Sequence, residues 1–61
     1  MNYTGTLKDQ VDAFERERIV DALREARGNQ AEAARALGIS RSVINYKIKR
    51  HNIQQRSIDY D

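Results

Sequence analysis

The 61-residue sequence predicts an all-α domain of three helices. Gly28 and Gly38 divide the chain into segments of helical length, and each segment begins after a residue that can cap a helix. No segment shows the alternation of apolar and polar residues that is typical of a strand. Ala, Arg, Glu and Leu, which all favour helix, dominate the composition. The chain is therefore one small domain with a long first helix and two short helices behind it.

The first helix is predicted over residues 7–26. Thr6 can act as its N-cap, and Asp9 stands three residues later, as in a capping box. Gly28 ends the helix because glycine readily adopts the positive φ that follows a helix end. Residues 1–5 have no pattern and are interpreted as a linker or a tag remnant.

The second helix is predicted over residues 30–37, with Asn29 as its N-cap and Glu32 at the capping-box position. Gly38 begins a tight turn after it. Short helices joined by such a turn are the pattern of a helix-turn-helix.

The third helix is predicted over residues 41–51 and is capped by Ser40. Asn52 can end it in the left-handed conformation, and Ile53 can then fold back on the last turn. The polar residues 54–61 are expected to form a flexible tail.

Two apolar surfaces lie on the first helix when successive residues are placed about 100° apart. The sector of Ile19, Ala22, Leu23 and Ala26 is expected to pack against the short helices, which cover only the C-terminal half of the first helix. The second surface, the α1 stripe, remains uncovered and comprises Leu7, Val11, Phe14 and Arg18.

We hypothesise that the α1 stripe pairs with the same residues of a second copy, as in a symmetric dimer. Arg18 would extend its charge to solvent, or pair with an acid such as Glu15 across the interface. There are two alternatives: the first turn of the helix frays, or another domain covers the stripe.

Positive charge is concentrated in the two short helices. The net charge of the chain is +2, but residues 29–53 hold five basic residues against one acidic residue, a balance of +4. Residues 1–28 hold five basic against six acidic residues, and residues 54–61 hold one against two. A basic helix-turn-helix within an otherwise balanced chain is expected to face DNA phosphates.

The outer face of the third helix carries the predicted DNA contacts, since Ile44 and Ile48 point to the core. Arg at a helix start can read guanine, an apolar side chain can meet a thymine methyl group, and long cations suit phosphates. The N-terminus of the second helix can hold a phosphate. The candidates are Asn29, Gln30, Arg41, Ser42, Val43, Asn45, Tyr46, Lys49 and Arg50. For Tyr46, packing in the core remains the alternative.

The spacing Gly28-Asn29-x-x-x-Ala33-Ala34-x-x-Leu37-Gly38-Ile39 resembles the Fis-type helix-turn-helix, and the resemblance covers about residues 7–53. The long first helix is similar to that at the C-terminus of sigma-54-dependent bacterial enhancer-binding proteins of the NtrC and NifA type. The resemblance implies a Fis-like, homeodomain-like fold and a homodimer on a palindromic DNA site. It also implies DNA contacts at Asn29, Gln30, Arg41, Val43, Asn45 and Tyr46.

One departure from Fis itself affects the expected DNA target. Asn45 and Tyr46 stand where Fis has basic residues. The chain is therefore expected to read a different sequence and to bind random DNA less strongly.

Other classes of protein find little support in the sequence. It shows no nucleophile–base pair, no phosphate-cradling glycine loop and no cysteine, so we expect no enzyme, cofactor, metal or small-molecule ligand. Without a membrane span or a signal peptide, a cytoplasmic, nucleoid-associated bacterial protein is expected. A stand-alone Fis-like DNA-bending protein and a dimerisation-only module are the remaining alternatives.

Overall fold

A computed structural model describes residues 5–58 of the chain. Three α-helices follow one another: α1 (Leu7–Glu25), α2 (Gln30–Leu37) and α3 (Arg41–Arg50). A single 3₁₀ turn (Gln55–Ser57) comes after them. No strand occurs between residues 5 and 58, and the predicted all-α fold is confirmed.

The predicted capping box opens α1. The Asp9 amide donates to Thr6 Oγ1 at 3.3 Å, and the Thr6 amide donates to Asp9 Oδ2 at 3.1 Å. At its other end α1 stops at Glu25, one residue before the predicted end. Both Arg27 (φ +53°) and Gly28 (φ +85°) lie in the left-handed region. The chain thus leaves α1 through two left-handed residues, whereas glycine alone was predicted there.

Asn29 caps α2 as predicted, since its Oδ1 accepts from the Glu32 amide at 3.1 Å. The reciprocal half of the predicted capping box is not formed, because the Asn29 amide donates to the Ala26 carbonyl at 3.1 Å. The end of α1 therefore supplies the bond that the Glu32 side chain was expected to make.

The turn between α2 and α3 depends on Gly38, whose φ is +72°. A Cβ atom at this position would meet nothing within 4 Å, so the constraint is the backbone conformation and not a lack of space. Ser40 then caps α3, because its Oγ accepts from the Val43 amide at 3.2 Å.

The end of α3 also follows the prediction closely. The helix stops at Arg50, one residue early, and Asn52 adopts the left-handed conformation with φ +54°. The Ile53 amide donates to the Ile48 carbonyl at 3.0 Å, and the Ile53 side chain is buried.

One core joins the three helices. The α1 sector predicted to pack inward does so, with Ala26 at the periphery of the core. Ala33 and Ala34 of α2 are buried, and their small side chains let α2 approach α1 closely. The buried residues are Ile19, Ala22, Leu23, Ala33, Ala34, Ile44, Ile48 and Ile53.

The structure describes the first part of the predicted tail over 54–61, up to Ile58. Gln55–Ser57 forms the 3₁₀ turn, and Ile58 packs against the core. Its apolar side chain lines a hollow together with Val20 and Ile53, so part of its surface is removed from water. The rest of the tail, 59–61, and residues 1–4 of the linker lie outside the described residues.

Candidate nucleic-acid interface

The core holds α3 by one side and leaves its other side open. Ile44 is fully buried and Ile48 nearly so. Val43 and Tyr46 point away from the core and are 39% and 65% exposed. The alternative that Tyr46 packs in the core is thereby excluded. Large apolar groups on an open, basic helix face suit contact with a partner surface.

The polar candidates on α3 lie on the same open side. Arg41, Ser42, Asn45, Lys49 and Arg50 are all exposed. The hydroxyl groups of Ser42 and the cap residue Ser40 are 3.3 Å apart, which places Ser42 at the very start of the helix. Within residues 5–58, neither Arg41 nor Lys49 contacts a carboxylate. Both cations can therefore meet an external anion.

A polar hollow of about 640 Å³ lies between the start of α2 and the start of α3. It brings together three predicted DNA-binding residues, Asn29, Gln30 and Arg41. Arg27 also lines it, which the sequence reasoning missed. Residues other than glycine rarely adopt the left-handed conformation, so the sequence did not predict it for Arg27. For that reason the sequence did not place Arg27 beside the hollow. Two guanidinium groups and a helix N-terminus here would attract an anion.

A second feature that sequence reasoning missed is an ion-pair cluster between α1 and α3. Lys47 Nζ donates to both Glu15 oxygens at 3.1 Å, and His51 Nε2 lies 2.7 Å from Glu15 Oε1. His51 is nearly buried, with 6% of its side chain exposed. The last turns of α3 are thus tied to the middle of α1.

These contacts give Glu15 and His51 partners within the chain. Glu15, offered by the sequence as a partner for Arg18 across a dimer, is engaged within its own chain. His51, at the C-terminal end of α3, donates to this carboxylate. The hydrogen bonds from His51 and then from Lys47 hold the pKa of Glu15 below its usual value of 4.5. The ionised carboxylate can only accept, so Nε2 of His51 carries the hydrogen.

Asp12, one turn before Glu15, faces α3 as well. Its carboxylate accepts from Lys8 at 2.9 Å and lies 3.5 Å from Arg50 Nη1. The hydrogen bond from Lys8, aided by the charges of Lys8 and Arg50, keeps the pKa of Asp12 below 3.8. Arg50, a predicted phosphate contact, therefore has an acidic neighbour in its own chain.

The α1 stripe is uncovered in the single chain, as expected. Leu7, Val11 and Phe14 are exposed, and Phe14 is 65% exposed. A groove of about 370 Å³ runs beside the stripe, with Val11, Phe14 and Arg18 on one wall. The opposite wall is formed by Ala36, Leu37 and Ile39. The apolar surface thus extends from α1 onto α2 and the turn.

Comparison with protein families agrees with this arrangement. Residues 10–51 match the family described as bacterial regulatory protein, Fis family, with its helix-turn-helix. The chain belongs to this family. Fis-type helix-turn-helix domains are DNA-binding parts of transcription regulators, and the structure of this Fis-family domain leaves one side of its third helix exposed.

Two curated relatives are similar to the Fis-family domain. Nitrogen fixation protein AnfA of Azotobacter vinelandii is 36% identical over 52 residues, which cover 85% of this chain and 10% of that protein. The propane 2-monooxygenase operon transcriptional activator MimR of Mycolicibacterium goodii is 55% identical over 40 residues. That match covers 66% of this chain and 7% of MimR. The domain spans a tenth or less of the length of either relative, and no solved structure matches it.

No helix of the Fis-family domain between residues 5 and 58 has both the length and the apolar character required to cross a bilayer.

The Glu15 cluster makes a testable contribution to stability. Glu15→Gln in the Fis-family domain is expected to lower the free energy of unfolding at pH 7 by about 1–2 kcal/mol, because the Lys47 ammonium and the His51 N–H lose a carboxylate partner. Since the pKa of Glu15 is lowered by folding, this stabilisation is present above pH 4.5 and is lost as the pH falls through the folded-state pKa. Urea unfolding of both proteins across this pH range measures the difference.

Glu17→Gln is the matched control for this prediction, since Glu17 is an exposed carboxylate on the same helix. Its effect is expected to stay within about 0.5 kcal/mol. Equal losses in the two variants, or a Glu15→Gln loss that persists in acid, would contradict the role assigned to Glu15.

Proposed function

We propose that this domain binds a palindromic site in duplex DNA as a homodimer, and that it is the DNA-binding domain of a sigma-54-dependent transcriptional activator. The observation that supports it most is the orientation of α3. Ile44 and Ile48 anchor the helix while Val43, Tyr46 and the cationic side chains remain open. An α-helix presented in this way fits the major groove of B-form DNA.

The proposed base contacts come from the N-terminal and central part of α3. Arg41, at the helix start, would form two hydrogen bonds to the major-groove edge of a guanine. Val43 would pack against a thymine methyl group, and Asn45 has the donor and acceptor that adenine requires. Ser42 and Tyr46 complete this surface. These five residues lie on the exposed side of one ten-residue helix, so they can reach neighbouring base pairs together.

The proposed phosphate contacts flank the base contacts. Lys49 and Arg50 lie at the C-terminal end of α3, and the polar hollow with Asn29 and Gln30 lies at its other end. Phosphate contacts on both sides would fix the helix in the groove without reading sequence. Arg27 joins this set because it lines the same hollow.

The α1 stripe supports the proposed homodimer. It exposes Leu7, Val11 and Phe14 next to an apolar groove, and Arg18 lies at the edge of that groove. Covering large apolar side chains contributes about 1.5–3 kcal/mol each. A symmetric pair of domains would present two recognition helices, and its site would contain two half-sites about 34 Å apart.

Family membership supports the wider proposal of an activator. The Fis-type helix-turn-helix with a long preceding helix resembles the C-terminal domain of sigma-54-dependent activators, and MimR is by name a transcriptional activator. The proposal assigns to this chain the DNA-binding step of such a protein.

Selection of bound DNA from a random pool tests the proposed function. A palindrome with half-sites one helical turn apart, bound at least about 10³-fold more tightly than random DNA, is the expected result. Tight binding without sequence preference would favour a DNA-bending protein instead. A pool that shows no enrichment and no binding at low salt would leave only a dimerisation module.

Arg41→Ala tests the proposed base contact on the selected site. The loss of two hydrogen bonds to a guanine is expected to weaken binding by about 1–3 kcal/mol, and to relax the preference at that base pair alone. Arg24→Ala, which removes an exposed α1 arginine paired with Asp21, is the control for net charge. Fluorescence anisotropy measures both variants. A uniform loss over all sequences would show that Arg41 contacts only phosphate.

A further inference from the structure

We propose that Asp12 competes with DNA phosphate for Arg50, and thereby lowers the affinity of the domain for duplex DNA of any sequence. The inference rests on the proposed function, because it requires α3 to lie against a duplex. Asp12 lies on α1 and is not among the predicted DNA contacts. The proposal gives it an effect on Arg50, which is one of those contacts.

The two acidic residues that face α3 hold its cations in different ways. Glu15 accepts two 3.1 Å hydrogen bonds from Lys47 and also contacts the nearly buried His51. Asp12 approaches Arg50 at one pair of atoms only, and 3.5 Å is at the limit of a hydrogen bond. Lys47 is therefore fixed to α1, whereas Arg50 can leave its partner.

Exposure favours the release of Arg50. The Asp12 and Arg50 side chains are 32% and 37% exposed, so water screens their attraction. The guanidinium group has five N–H donors, and a phosphate can accept two of them at once, which a single 3.5 Å contact does not match. Phosphate is the stronger partner where both can be reached.

Lys8 keeps Asp12 paired when Arg50 leaves it for a phosphate. It donates to Asp12 Oδ2 at 2.9 Å, while Arg50 approaches the other oxygen, Oδ1. When Arg50 turns to a phosphate, Asp12 keeps its shorter ion pair. The contact between Arg50 and Oδ1 is then what a bound phosphate has to replace, and its loss is subtracted from the affinity for DNA.

The predicted consequence is independent of base sequence. Asp12 acts on a phosphate contact, and phosphates carry no sequence information. Removing its charge is therefore expected to tighten binding to a preferred site and to random DNA by the same factor. With Asp12 present, the domain would bind DNA less tightly than the cations of α3 alone would allow. Removing the charge of Asp12 would restore the missing affinity for DNA.

Asp12→Asn is the test, with Asp21→Asn as its matched control. Asp21 is also an exposed α1 carboxylate paired with a cation, Arg24, at 3.1 Å, and both variants raise the net charge by one. On a short mixed-sequence duplex at low salt, Asp12→Asn is expected to bind about two- to fivefold more tightly than Asp21→Asn. The slope of log K against log salt is expected to steepen by up to about 0.9.

The Arg50→Ala background assigns the effect to Arg50 rather than to Lys8. Asp12→Asn is expected to lose its advantage over Asp21→Asn in that background. The proposal is overturned if the advantage persists there, if the two asparagine variants bind equally, or if Asp12→Asn binds more weakly than the parent chain. Failure of the parent chain itself to bind DNA would instead refute the proposed function. Circular dichroism checks that every variant is folded.

Discussion

The Ile44→Ala variant is expected to lose about 2–5 kcal/mol of unfolding free energy, through lost burial and the cavity left behind. Ile44 is fully buried in the core that joins the three helices. A domain of 61 residues has about 3–9 kcal/mol in total at the usual stability per residue. The loss is a large share of that total, so the urea midpoint of the variant is expected to fall well below that of the parent chain, as a titration followed by circular dichroism would measure.

Val43→Ala is the control, one position earlier on the same helix. Val43 is exposed, so its loss is expected to change the unfolding free energy by no more than about 0.5 kcal/mol. DNA binding should fall all the same, because the proposed contact with a thymine methyl group is removed. Similar stability losses in both variants would contradict the observed orientation of α3, and with it the proposed DNA-binding face.

Phe14→Ala is expected to convert the proposed dimer to monomers. Each copy would lose about 1.5–3 kcal/mol of apolar burial, and twofold symmetry counts that loss twice. The dissociation constant of the dimer should therefore rise by about 10²–10⁴-fold. Sedimentation velocity at micromolar concentration would show the change, and binding to a palindromic site would weaken because only one recognition helix is held at a time.

Tyr46→Ala is the matched control for Phe14→Ala. Both aromatic side chains are 65% exposed, but Tyr46 lies on α3 and Phe14 on α1. Tyr46→Ala is expected to remain dimeric while it loses affinity for DNA. If Phe14→Ala sediments like the parent chain, the α1 stripe is not the interface and the proposed dimer fails.

The boundaries of the helices were accessible from sequence because short-range chemistry sets them. The Thr6 hydroxyl accepts from the Asp9 amide, and the Ser40 hydroxyl accepts from the Val43 amide. Each hydrogen bond joins residues three apart, and Ser and Thr are preferred at such N-cap positions. The errors were also local. Arg27 adopts the left-handed conformation before Gly28, and no residue preference predicts that of an arginine.

The proposed site was only partly accessible from sequence. The helical wheel placed Ile44 and Ile48 inside and Tyr46 outside, because a helix fixes the angles between its own residues. The wheel describes one helix at a time, so it left the partners of the α3 cations open. It could not show that Lys47 is held by Glu15, or that Arg27 shares a hollow with Arg41.

Residue order alone was thus sufficient for the three helices, most of their caps and the inward isoleucines, since each depends on neighbours within about one or two helical turns. The spacing of residues over a longer stretch was sufficient for the family. Only the folded chain decided which cations of α3 are paired with carboxylates of α1 and which are not. Glu15 meets Lys47 across 32 positions and Asp12 meets Arg50 across 38, and such pairs exist only after the core has fixed the angle between α1 and α3. Coulombic attraction acts over a few ångströms, so the packing of apolar side chains selects which charges become neighbours.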